Sequence, residues 1–185
     1  MKYIHSKFIL CVAVLFAVTL AGSSYAIAAS AVELNINAEK ALAKLYAKSA
    51  PAKALGERAK AILVFPSVTK AGLMVGGQYG EGVLIKNGEP VAYYNTVSAS
   101  YGMQAGVQKY GYVLFLMTDS AEDYLHNSGG WELGVGPSIV VVDVGKAGSM
   151  TTTTAKSDIY AFFFDQKGLM AGLGLQGTKV TQISR

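Results

Sequence analysis

The stretch Ala59–Gly82, AKAILVFPSVTKAGLMVGGQYGEG, decides the fold of this chain. A basic lead-in passes into an apolar run closed by Phe65-Pro66, and a glycine-studded segment follows. Read at period two from Gly72, one face carries Gly72, Met74, Gly76, Gln78, Gly80 and Gly82. The other carries Leu73, Val75, Gly77, Tyr79, Glu81 and Val83. Glycine inside a strand gives up packing and conformational entropy, so a row of glycines belongs where the strand bends or another backbone comes close. Segments 102–106, 134–136 and 168–174 repeat the device. The expectation is an α+β fold, with N-terminal helices packed on a curved, mainly antiparallel β-sheet, either open or barrel-like.

The neighbouring segments supply the other elements. Asn37 is predicted to cap a helix over Ala38–Lys48, with Ala41, Leu42, Leu45 and Tyr46 on its apolar side. Ser49-Ala50-Pro51 ends it, and a shorter helix from Ala52 to about Ala61 leads into a strand over Ile62–Phe65. Gly72–Ile85 and Val91–Ser98 read as a hairpin around Asn87-Gly88, a pair suited to the positive φ angles of a tight turn. Gly111–Met117 and Ile139–Val144 are continuous apolar runs expected as buried central strands. Between them, Asp119 or Ser120 is expected to cap a short helix ended by Gly129-Gly130. Residues 149–156 read as strand or exposed edge, and 159–164 with 169–177 as a closing hairpin.

The first 28 residues read as a secretory signal peptide. Lys2 and Lys7 form a positive start, Phe8–Leu20 an apolar centre, and Ala26-Ile27-Ala28 a small-residue cleavage site. An uncleaved anchor is the rival reading, since about 20 apolar residues suffice to cross a bilayer. Cys11, the one cysteine, lies within the apolar centre, and Leu10 before it disfavours acylation. The rest of the chain therefore folds without disulfides, by core burial within one domain. Loss of Lys2 and Lys7 halves the formal charge of +4, so the distribution of charge is more informative than its sum. Lys40, Lys44, Lys48, Lys53, Arg58, Lys60 and Lys70 cluster in the first part of the domain against only Glu39 and Glu57. Lys40, Lys44 and Lys48 recur every fourth residue, on one side of the predicted helix.

The ordered blocks AILVFPSVTKAG, GGQYGEGVL, SASYGMQAGVQ and SDIYAFFFDQKGLMAGLGLQG make residues 38–185 similar to the SYLF family of lipid-binding modules, known in fungi as actin-binding domains. The resemblance implies binding of phosphoinositide or other anionic lipid and membrane association, with no catalytic residues. It turns the basic cluster from a solvated helix face into the expected lipid-binding site. Actin, a partner of the fungal members, is not expected for a chain with a bacterial-looking leader.

Catalytic and metal motifs do not assemble. Residues 172–177 satisfy G-x-G-x-x-G, but too little chain follows for the crossover helix and acidic residue of a dinucleotide site. His126, the one histidine after the leader, reads as a helix C-terminal cation or surface residue, leaving no triad and no zinc site. Asp119, Glu122 and Asp123 are explained by a helix start. Glu81, Asp143, Asp158 and Asp165 have no calcium-loop spacing, and Glu81 is read as a turn carboxylate. The tyrosines and phenylalanines are expected in the core, whereas Trp131, after Ser128-Gly129-Gly130, is expected in a loop as a membrane contact. Nucleic acid is not an expected partner, and neither a cofactor nor a metal is.

The functional expectation is a non-catalytic, lipid-binding module of the cell envelope, exported to the periplasm and peripherally membrane-associated. It would bind anionic phospholipid headgroups through its N-terminal basic region. The alternative is a structural or protein-interaction protein of the envelope. Intact mass of the exported protein is predicted to show loss of about 26–28 residues and no acyl chain. A mass retaining Met1 would establish the anchor.

Overall fold

The computed structural model describes residues 30–127, 131–133, 135–142, 157–168 and 177–185. The chain opens with helix α1, Ala31–Lys48, which buries Leu34, Ala38, Ala41 and Leu45 along one stripe. Its cap is Ser30, whose hydroxyl accepts from the Glu33 N–H at 3.2 Å, so Asn37 lies inside the helix rather than at its start. The sequence Ser30-x-x-Glu33 has the form of a capping box and outcompetes the later asparagine. Ser49 joins α1 to α2, Ala50–Gly56. Its N–H donates to the Leu45 carbonyl at 2.9 Å, and its hydroxyl accepts from the Ala52 N–H at 3.3 Å.

Two very long strands follow, β1 over Ala61–Lys86 and β2 over Glu89–Leu116, joined by Asn87 and Gly88 at φ 53° and 83°. Phe65-Pro66 does not close the first strand. A register shift between Phe65 and Val68 takes Pro66 and Ser67 out of the ladder, an arrangement in which proline, lacking an N–H, costs no ladder bond.

The hairpin then bends at its glycines. A Cβ on Gly72 would lie 2.5 Å from the Gly76 Cα and 2.9 Å from the Val75 carbonyl oxygen. β2 follows the bend by a register jump, since Leu73 pairs with Ala105 but Val75 pairs with Tyr101. The second half of β1 is thereby carried across the first. At the crossing, a Cβ on Gly80 would meet the Ser67 carbonyl oxygen at 2.8 Å, and one on Gly82 the Val64 carbonyl oxygen at 2.6 Å.

β2 pairs with β1 on one side. On the other it pairs with β6, Lys179–Ile183, through residues 93–97 and with β5, Ile159–Gly168, through residues 108–116. β3, Trp131–Glu132, adds to β6, and β4, Ile139–Val142, lies parallel to β5. Among the described residues this is a six-stranded sheet, antiparallel except at β4. The sheet is curved, as expected, and it is open, so of the two forms the sequence allowed it is not the barrel-like one: the halves of β1 meet through glycine contacts, without a ladder between them. Of the apolar run at 139–144, residues 139–142 form β4, which among the described residues pairs only with β5 and leaves Val140 and Val141 exposed, whereas 143 and 144 lie outside the described residues. Residues 149–156 and 169–176 lie outside the described residues, as do Gly134, Gly172 and Gly174.

Two cores result. Inside the bend, Leu63, Phe65, Leu84, Tyr94, Tyr112 and Leu114 pack together, and the Phe65 and Tyr112 rings stack at 4.7 Å. Burial drives the Tyr110 phenol up to about 12 and that of Tyr112 higher still, so both remain neutral donors. Tyr112 donates to Thr96 Oγ1 at 2.8 Å and Tyr110 to Gln78 Oε1 at 2.6 Å. Gln78 in turn donates to Thr178 at 3.1 Å, and these polar bonds fix the two halves of the hairpin relative to one another. Outside the bend, Leu34, Ala38, Leu45 and Leu55 of the helices cover Val64, Val83, Val113, Phe115 and Phe162.

The third helix, α3 over Asp119–Asn127, is capped by Thr118, whose hydroxyl accepts from the Ala121 N–H at 3.3 Å. Asp119 and Ser120 are therefore not its caps, and Glu122 instead accepts from Lys86 at 2.6 Å, tying α3 to the hairpin tip. Among the described residues no helix is long and apolar enough to cross a membrane.

Replacing Gly82 by valine is predicted to cost about 3 kcal/mol or more, because backbone already occupies the space a side chain needs. A thermal melt matching wild type would contradict the close crossing. A second prediction concerns Asp158, which joins α3 to β4 and β5. It accepts from the Ser138 hydroxyl at 2.7 Å, the Ser138 N–H at 2.9 Å and Thr118 at 3.1 Å. These donors, the Ser138 hydroxyl first, hold its carboxyl below the usual range. Its stabilising effect is thus fully present above about pH 4 and is lost as pH falls through the lowered folded value. Asp158→Asn should lower the melting temperature at pH 7 and reduce its decline towards acid, and an unchanged acid dependence would contradict this.

Candidate functional site

Two bulges shape a trough between α1 and the sheet. On β1, Pro66 and Ser67 stand out of the ladder, and a shift between Lys109 and Gly111 leaves Asp165 and Gln166 of β5 unpaired in register. Asp165 adopts φ 52°, a left-handed conformation that aspartate tolerates better than most residues. Against these bulges α1 sets Asn37, Lys40, Ala41 and Lys44, enclosing about 450 Å³ with Phe164. A second hollow of about 300 Å³ lies between Lys44, Leu45, Lys48 and residues 163–166.

Lys44 and Asp165 border both hollows, and their ion pair separates them, with Lys44 Nζ 2.6 Å from Asp165 Oδ2. Lys48 Nζ lies 3.9 Å from Asp165 Oδ1. Both lysine side chains are more than half exposed, so these pairs contribute about 1 kcal/mol or less and yield readily to a competing anion. Lys40 lines the first hollow and has no ion pair among the described residues. The trough thus offers three ammonium groups, one carboxylate and an aromatic floor, a set suited to electrostatic capture of an anion.

The other basic residues expected in the site are distributed away from it. Lys53 is exposed in the last turn of α2, and Arg58 is exposed just after that helix. Lys60 precedes β1 and pairs with Asp119 at 3.3 Å. Lys70 lies on β1 opposite Gln108. Trp131 is not in a loop: its backbone pairs with Val180 as the first residue of β3. Glu81 is likewise not a turn carboxylate, because it sits within β1, accepts from Tyr79 at 2.6 Å and ion-pairs with Arg185. His126, in the last turn of α3, places Nδ1 3.1 Å from the Tyr94 hydroxyl and Nε2 3.9 Å from Glu122.

Sequence reasoning missed Lys109 and Lys167. They are directly opposed across β2 and β5, both exposed, and therefore point to the same face of the sheet. No local pattern joins two lysines so distant in the chain, and their register depends on the Asp165 bulge next to the pair. Among the described residues no group of three His, Cys, Asp or Glu is placed to hold a metal ion.

Residues 97–184 match the family model Ysc84, described as "Las17-binding protein actin regulator". No curated protein matches the chain at the required significance.

Proposed function

We propose that this chain, whose residues 97–184 match the Ysc84 (SYLF) family model, is a lipid-binding module that captures anionic phospholipid headgroups in the trough beneath α1. The observation that carries this reading is the placement of Lys40, Lys44 and Lys48 along the trough, with Asp165 as a weakly held internal counterion. A phosphate group approaching Lys44 replaces one carboxylate partner by another anion and brings Lys40 into use. The lysines then act together, at roughly 1 kcal/mol for each basic residue held near an anionic surface. Binding rather than catalysis agrees with the family.

The setting follows from the leader. A chain exported through residues 1–28 would meet phospholipid as a peripheral protein of the periplasm or envelope, where actin is absent. The family description names a protein partner, so a protein-interaction module is the second reading.

The test uses the full chain and compares vesicles containing phosphatidylglycerol with vesicles of phosphatidylcholine alone. Apolar attachment by the N-terminal segment contributes to both, and the preference for the anionic vesicles reports the trough. Changing Lys40, Lys44 and Lys48 together to glutamate is expected to reduce that preference about a hundredfold, with little effect on the melting temperature. Asp165→Asn, which frees Lys44, is expected to increase it. Both effects should fade as salt screens the charges. A folded triple variant with the wild-type preference would overturn the lipid reading of the trough and favour the protein-interaction module.

A further inference from the structure

The hairpin carries exposed apolar side chains in and around its glycine bend. Val75, within the Gly72–Gly76 bend of β1, and Val107, paired on β2 with Ala71 just before that bend, are each 58% exposed. Tyr79 and Val97, opposed in the next part of the hairpin, are 51% and 43% exposed. Single exposed valines need no explanation, but three valines and the ring of Tyr79 on one bent hairpin place apolar surface in water.

The charges beside this surface indicate what covers it. Two residues from Val107 along β2 stands Lys109, directly opposite Lys167. Like charges in directly opposed positions are destabilising, and neither lysine has an ion pair with a described residue. The nearest acidic residue along β5, Asp165, is taken up by Lys44 and Lys48. The pair therefore gains from an external anion. Apolar side chains bordered by uncompensated lysines complement the interface of an anionic bilayer, where hydrocarbon lies just below a layer of negative headgroups.

We infer that the bend is a membrane-inserting element: Val75 and Val107 enter the headgroup boundary while Lys109 and Lys167 bind the anionic headgroups around them. This rests on the lipid reading above and adds a second, apolar contact to the electrostatic one under α1. The residues that carry it on β2 and β5 lie within the stretch matched by the family model, whereas α1 does not.

The test places an environment-sensitive fluorophore at Val75→Cys or Val107→Cys in a Cys11→Ser background, with Ser120→Cys on α3 as control. On phosphatidylglycerol vesicles, labels at 75 and 107 should shift to the blue and the label at 120 should not. The unlabelled pair Val75→Thr and Val107→Thr keeps β-branching and shape while removing apolar surface. It should weaken the part of anionic-vesicle binding that survives high salt by about tenfold. Replacing Lys109 and Lys167 by glutamine should instead reduce binding at low salt. If wild type prefers anionic vesicles but labels at 75 and 107 still report water and the threonine pair binds like wild type, the inserting bend is overturned and the trough reading stands. If wild type shows no preference for anionic vesicles, both are overturned.

Discussion

The contact of β1 with itself is the constraint from which the rest of the structure follows. Gly80 and Gly82 let the second half of the strand pass over the backbone of Val64–Val68 at distances that no Cβ could occupy. Once that crossing is made, β2 must bend as well, and its two halves diverge enough to take different partners, β6 beside one and β5 beside the other. The interior of the bend becomes the aromatic core around Phe65 and Tyr112, and the exterior becomes the surface onto which α1 closes. A side chain at the crossing would separate the layers and weaken both cores together.

The same bending produces the trough. A continuous flat ladder under α1 would present a regular surface, whereas two bulges at almost the same level expose Pro66 and Ser67 on one strand and Asp165 on another. Asp165 is the electrostatic centre of this region. It neutralises part of the lysine row, so the isolated domain does not hold three unmatched charges together, yet the pair is too exposed to be strong. A weak internal counterion keeps a basic site assembled without closing it to other anions.

The α+β class, the glycine rows and the Asn87-Gly88 turn were legible in the sequence because each rests on local chemistry: period two, missing side chains, positive φ. The lysine row was legible for the same reason, helical spacing. The failures are failures of context. Asn37 is a good cap, but Ser30 with Glu33 offers a better one seven residues earlier, and cap choice depends on where the whole stripe from Leu34 finds cover. The run at 139–144 is apolar enough for burial on both faces, and nothing local says that Val140 and Val141 stay exposed on β4. Pro66 looks like a stop because the bulge that accommodates it is defined only by pairing with β2. Asp165 as the partner of Lys44, and Lys167 as the neighbour of Lys109, belong to the same class: long-range register, set by bulges that leave no signature in the chain.

The bend also limits how a membrane could be engaged. Among the described residues, Gly102, Met103 and Gln104 have no partner on β1, since pairing jumps from Ala105 to Tyr101. Backbone groups outside a ladder are expensive in hydrocarbon but readily satisfied by water and headgroups. An element of this kind is therefore suited to the interface and not to the bilayer centre. Side chains such as Val75 and Val107 can reach the boundary of the hydrocarbon while the interrupted ladder behind them stays hydrated. Lysines on the flanking strands and under α1 would set the orientation from a distance of about a Debye length, and the valines would act only after contact. On the inserting-bend proposal, the glycines that permit the fold would also limit how deeply it enters a membrane.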